Sequence, residues 1–183
     1  MTSFRKGMLA GAALLIVVVL IVAVLAAMSG LYDVAADSPH LALTRAIIDY
    51  VRESSIESRA EDIKVPPLGN SRMVAAGAGH YDAMCTACHL APDMADNEMR
   101  PGMNPKPPEL AKMSVGDPAE QFWIVKHGIK MTAMPAWGPT HTDEEIWDIV
   151  AFLQKLPKLT PAQYRALVAA SGKPDEDRMN MGH

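Results

Sequence analysis

The sequence predicts an all-α protein, one membrane-spanning helix followed by a small helical domain, and three observations carry that reading. Residues Met8 to Met28 form an uncharged run of 21. Beyond it, apolar residues recur at three- and four-residue spacing in segments opened by Ser, Thr, Asn or Asp and closed by Gly or Pro. No segment alternates apolar and polar residues with the period of two that marks a half-buried strand.

The apolar run comes first in the chain. At about 1.5 Å per residue a helix of this length reaches about 31 Å, roughly the hydrocarbon thickness of a bilayer. Arg5 and Lys6 precede it and Asp33 and Asp37 follow it. Positive charge stays on the cytoplasmic side, so the N-terminus is expected inside and the domain outside. A cleaved signal peptide is the alternative, with Ala35-Ala36 offering small residues, but its apolar region is ordinarily about 7–15 residues. A retained anchor is the reading adopted, with residues 8–28 contacting the lipid bilayer.

The remainder, residues 30–183, keeps all 21 Asp and Glu and loses only Arg5 and Lys6 of the 17 Lys and Arg, so its formal charge is −6. That balance excludes a nucleic-acid surface, which needs a basic face. It permits a basic protein partner. The 13 methionines and few aromatics suit a small helical core wrapped around something flat and apolar.

Ser38-Pro39 reads as a helix start, N-cap then Pro at the first helical position. Leu43, Ile47, Ile48 and Val51 give the helix an apolar face over about residues 39–59, before Val65-Pro66-Pro67 ends it. Asn70-Ser71 caps a helix with Val74, Ala78, Tyr81 and Cys85 on one face. From Pro92 to Pro108 the prolines and Gly102 forbid regular structure. Gly116-Asp117-Pro118 with Glu120 opens a helix through Phe122, Val125 and Lys126 that stops at Gly128. Lys130 to Thr140 is a loop. Thr142 and Glu145 form a capping box for a helix with Ile146, Ile149, Val150, Leu153 and Leu156 inward, ending at Pro157. Thr160-Pro161 starts a short last helix ending at Gly172, and residues 173–183 read as disordered. The expected division is a membrane anchor over 1–30, an amphipathic helix and Pro-rich linker over 31–69, a folded domain over 70–158, and a short helix with a tail over 159–183.

The chemistry is expected at Cys85-Thr86-Ala87-Cys88-His89. Two cysteines three apart cannot build a disulfide framework. A zinc site needs four ligands, and His40, His80, His127 and His141 lack paired spacing. A thioredoxin-like dithiol belongs in a βαβ pattern, which is absent. A chance match of so short a motif is a further alternative. The run reads best as covalent haem attachment: two thiols can each join a vinyl group on the porphyrin edge, and the next residue, His89, offers an imidazole to the iron. Met134-Pro135-Ala136-Trp137-Gly138 supplies a candidate second ligand in Met134, a soft, neutral thioether on a rigid loop. With Met131, Met113, Met103 and Met99 also in loops, Met134 is distinguished by lying between a Gly-terminated helix and the last capped core helix. Phe122 and Trp123 read as core or pocket residues, and Lys126, His127 and Lys130 as a solvated face. Met179-Asn180-Met181-Gly182-His183 carries soft copper-type ligands but reads first as a disordered end.

From about Ser71 to Leu156 the chain resembles a class I, mono-haem bacterial cytochrome c domain. The residues that carry the likeness are Gly77 and Tyr81, the Cys85–His89 run, Pro107-Pro108-Glu109-Leu110, Met134 to Gly138 with Trp137, and Trp147. The resemblance implies one covalently attached haem c with iron held between His89 and Met134. It also implies cofactor contacts at Cys85, Cys88, Gly77, Tyr81, Pro108, Leu110 and Trp137. It implies a close helix crossing at Gly77 near Trp147, and a proline carbonyl, of Pro107 or Pro108, that orients the His89 ring. Haem attachment on the outer face of the cytoplasmic membrane, the periplasmic side in a bacterium, is implied as well. The expected function is electron transfer with redox proteins in or at the membrane and without catalysis by this chain alone. The alternatives are a haem subunit of a larger membrane oxidoreductase and a ligand-binding haem sensor.

Overall fold

The computed structural model describes residues 2–172; the Met/His-rich end at 179–183 lies outside the described residues. All regular structure among them is helical, with no strand. The contacts divide the chain into two units, Met1–Pro39 and His40–His183.

The first unit is helix α1, Thr2–Met28. Its stretch Phe4–Met28 is long and apolar enough to cross a membrane, and its described side chains are exposed throughout. Such a helix is consistent with a membrane anchor, since its backbone hydrogen bonds are satisfied within the helix. After it, the Ser38 side chain bonds to Asp33, and the Ser38 amide closes a turn on the carbonyl of Ala35, 3.2 Å away.

That turn corrects the expected start of the next helix. Ser38 is engaged with Asp33 and caps nothing; α2 runs Ala42–Ala60, behind Leu41, which offers no side-chain cap. The expected apolar face is also not covered. Leu43, Ile47, Ile48 and Val51 are exposed, and only Ile56 and Ala60 at the C-terminal end are buried, where α2 packs on α5. Periodicity places these residues on one side of a helix and does not say what lies on it.

The second unit is built on α3, Ser71–Met84, and α6, Asp143–Leu153, which make its most extensive packing. Asn70 caps α3 by accepting from the Arg72 amide, and Thr142 with Glu145 forms the full capping box of α6. Ile146, Ile149, Val150, Ala151 and Phe152 are all buried, so α6 is the central element. Each such large side chain removed from water contributes about 1.5–3 kcal/mol before entropy is counted. α3 and α6 approach so closely that a Cβ on Gly77 would collide with the backbone carbonyl of Asp148. Only glycine permits that crossing.

α5, Pro118–His127, lies on α6, with Asp117 accepting from the Ala119 and Glu120 amides at its start and Gly128 at its end. α7, Pro161–Ala170, packs on α3 and is anchored by the Tyr164 hydroxyl, which donates to Asp82 at 2.7 Å. α6 stops at Leu153, before the expected Pro157; a 3-10 turn over Leu156–Lys158 carries Leu156 into the core. The stretch from Pro92 to Pro108 is irregular as expected except for a 3-10 turn at Arg100–Gly102, and a second 3-10 turn follows it at Leu110–Lys112.

Candidate functional site

The Cys-x-x-Cys-His run forms at the end of α3. Cys85 closes that helix through its amide to the Tyr81 carbonyl, and the chain then makes a single turn, α4, over Thr86–His89. The His89 amide donates to the Cys85 carbonyl at 2.8 Å, and the Thr86 hydroxyl donates to the Asp82 carbonyl at 2.8 Å. One turn therefore carries both thiols and the imidazole. The thiols are free and half-buried, and burial, then the neighbouring Cys88, pushes Cys85 up to about 12.

His89 has a fixed tautomer. Its Nδ1 lies 2.9 Å from the carbonyl oxygen of Pro108. A carbonyl only accepts, so the proton is on Nδ1 and the lone pair of the neutral ring is on Nε2. Burial lowers the His89 pKa, outweighing the upward pull of the Pro108 carbonyl. A neutral ring with Nε2 available is the form that binds a metal.

Directly after His89 the chain is strained. Leu90 is buried at φ 60 and ψ 156, a region costly for any residue with a Cβ. Its carbonyl accepts from the Tyr81 hydroxyl at 2.7 Å and its amide donates to Thr86 at 3.0 Å. Tyr81 itself is fully buried against Phe152 and Tyr164, and burial raises its pKa.

The loop that returns to Pro108 is organised by Arg100, which is only 1% exposed. Its Nε donates to the Cys88 carbonyl at 2.7 Å, its Nη2 to the Pro107 carbonyl at 2.8 Å and its Nη1 to Asp96 at 2.6 Å. The second Asp96 oxygen takes Lys106 at 2.6 Å; that bond and the guanidinium hold the Asp96 carboxyl down at about 2. Asn97 donates to the Ala87 carbonyl at 2.7 Å and accepts from the Met99 and Arg100 amides.

The methionine loop is held differently. The Ile129 amide donates to the Met134 carbonyl at 3.2 Å, the Trp137 amide to Val125 at 3.1 Å and the Gly138 amide to Lys126 at 2.9 Å. The Thr132 hydroxyl accepts from the Met134 amide and donates to the Ile129 carbonyl. Gly128 has φ 64, and a Cβ there would stand 2.6–2.7 Å from backbone atoms of Met134, Pro135 and Ala136. Met134 is half-buried against the core, whereas Met131 is 95% exposed.

The donor set fits a haem of the covalent type. Two thiols and an imidazole with its outer nitrogen free share one turn, and half-buried apolar groups, Met84, Leu110, Ala111, Met134 and Trp137, line the margin of the core. An all-helical domain with this turn is a mono-haem cytochrome c domain, and its chemistry is haem-based electron transfer with a covalently held haem c and its iron. Residues 72–153 match the family of cytochrome c oxidase, cbb3-type, subunit III. No curated protein and no solved structure matches the chain.

The structure brings Cys85, Cys88, His89 and Pro108 into one neighbourhood. It puts Gly77 in the α3–α6 crossing and Tyr81 in the core under Leu90. Leu110 opens a 3-10 turn, and Trp137 stands edge-on to His141 at 5.4 Å. Phe122 is a core residue stacked on Trp147 at 4.2 Å, while Trp123 is half-buried beside His127. Lys126 is paired with Asp143 at 2.6 Å. Sequence reading passed over Arg100, Asp96, Asn97 and Thr132. Asp96 pairs with the side chains of Arg100 and Lys106, and Arg100 and Asn97 also reach the carbonyls of Cys88, Pro107 and Ala87, partners that the folded loop brings to them.

Proposed function

We propose that this chain is a membrane-tethered one-electron carrier whose haem is attached at Cys85 and Cys88 and ligated by His89 and Met134. The observation that carries the reading is the His89 ring, held by the Pro108 carbonyl with Nε2 left to bind metal. When bound, haem supplies a one-electron iron couple. The chain's own part is to attach it, orient the imidazole through Pro108, and hold the Met134 thioether on a loop tied to α5. Met134 would supply a soft, neutral thioether alongside the His89 imidazole, a ligand pair that would favour the reduced iron. With His89 and Met134 both holding the iron, the role would be electron transfer without catalysis by this chain alone.

The division proposed is an anchor over 1–30, a linker region over 31–69, the haem domain over 70–158 and a terminal segment over 159–183. Arg5 and Lys6 in the first turns of α1, ahead of the uncharged run from Met8, favour a cytoplasmic N-terminus and a haem domain on the periplasmic side of a bacterial membrane. The tether would raise the haem's effective concentration near membrane redox proteins.

A second reading, a haem subunit of a larger membrane oxidoreductase, is favoured by the uncovered apolar residues of α2 and by the oxidase family matched over 72–153. Mild solubilisation of membranes followed by haem-stained native and denaturing gels tests both. A haem band near 20 kDa that survives denaturation is expected, and it should vanish in a Cys85→Ser, Cys88→Ser double variant. Migration alone in the native gel supports the carrier, stable co-migration with other chains supports the subunit, and a haem lost on denaturing the native protein overturns the attachment.

A further inference from the structure

We propose that Arg100 is a positioning residue for the His89 imidazole, its buried guanidinium setting the separation between the two chain segments that carry the donor and the acceptor of the His89–Pro108 bond. The inference rests on the reading of His89 as an iron ligand.

The geometry is specific. Cys88 immediately precedes His89 and Pro107 immediately precedes Pro108, and one guanidinium bonds the carbonyls of both, through Nε and Nη2. A planar guanidinium presents these donors at a fixed separation that no lysine can reproduce. The third donor is held by Asp96, which Lys106 fixes from the other side. The group is thus oriented from three directions. A buried cation is a costly way to fold a loop, because removal from water must be repaid by bonds of good geometry. Neutral groups such as Asn97 already tie the same loop to Ala87. What the guanidinium adds is rigidity on both sides of the Nδ1–H···O=C bond. That bond sets the ring's orientation and its basicity toward a metal.

The test uses the full-length reduced haem protein in detergent, read by proton NMR at His89. Solvent exchange of the Nδ1 proton is followed in wild type, in Arg100→Lys, which keeps the charge and loses the fork, and in Ile56→Ala. Ile56 lies where α2 meets α5, so its truncation lowers stability without touching the His89 loop. Exchange about tenfold faster is expected in Arg100→Lys, reflecting local opening, together with a broadened low-spin EPR signal once the same protein is oxidised to the ferric form. Wild-type exchange is expected in Ile56→Ala. Should Arg100→Lys not fold, Asp96→Asn, at the more exposed side of the network, is expected to accelerate exchange in the same direction by less. Unchanged exchange in both variants, or equal acceleration in Ile56→Ala, overturns the positioning role. If the His89 ring protons of the wild type show no shift from a porphyrin ring current, the ligand assignment itself fails, and the proposal with it.

Discussion

The loop after His89 and the loop that carries Met134 are held by different kinds of bond. From Leu90 to Pro108 the chain is organised by side chains: Arg100, Asp96, Lys106, Asn97 and the hydroxyl of Tyr81. From Gly128 to Gly138 it is organised by its own amides, laid on the last turn of α5, with only Thr132 assisting. The difference teaches where each side is vulnerable. The histidine side should respond to charge and to single side-chain deletions. The methionine side should respond to backbone conformation and hardly to acid.

The largest effect is expected from Gly128→Ala. It places a Cβ at φ 64 against the backbone of Met134 and Pro135. Strain and overlap together should cost about 3 kcal/mol. Denaturant midpoints should fall accordingly, with the methionine–iron absorption band lost while the haem stays attached. Tyr81→Phe should cost about 1–3 kcal/mol, because the buried Leu90 carbonyl loses its donor; chemical denaturation measures it, and the methionine band should persist. Thr132→Val should cost about 1 kcal/mol through the two bonds at its hydroxyl, and should weaken the methionine band where Tyr81→Phe does not.

Acid gives the smallest and most selective effect. Lys106 and Arg100 hold Asp96 at about 2, below its ordinary 3.8. A carboxyl depressed in the folded state favours folding above its unfolded pKa, and that contribution is lost as pH falls through the folded one. Between about pH 4 and 2 the His89 loop should therefore loosen before the methionine loop. His89 Nδ1 exchange followed against pH should show it, and Asp96→Asn should flatten that part of the profile.

Much of the fold could be read from the sequence because its signals are local. Thr142 with Glu145, Asp117 with Pro118, and Gly128 each act within a few residues of themselves, and the helices begin and end where those residues are. The candidate turn was legible for the same reason, being five consecutive residues. What escaped was relational. Ser38 is an N-cap residue by type, yet Asp33 engages its side chain. Leu43, Ile47, Ile48 and Val51 of α2 have the right period and are exposed in the described chain. Arg100 sits in a proline-rich loop that resembles any solvated segment until Cys88 and Pro107 come together around it.

The proposed ligation of iron by His89 and Met134 can be read from the methionine–iron charge-transfer band of the ferric protein in Met134→Ala and Met131→Ala. Met134 is half-buried and tied through Ile129 and Thr132, and Met131 is almost fully exposed three residues earlier. The band is expected to disappear in Met134→Ala and to survive in Met131→Ala. A band that survives the first substitution, or is lost with the second, contradicts that ligation.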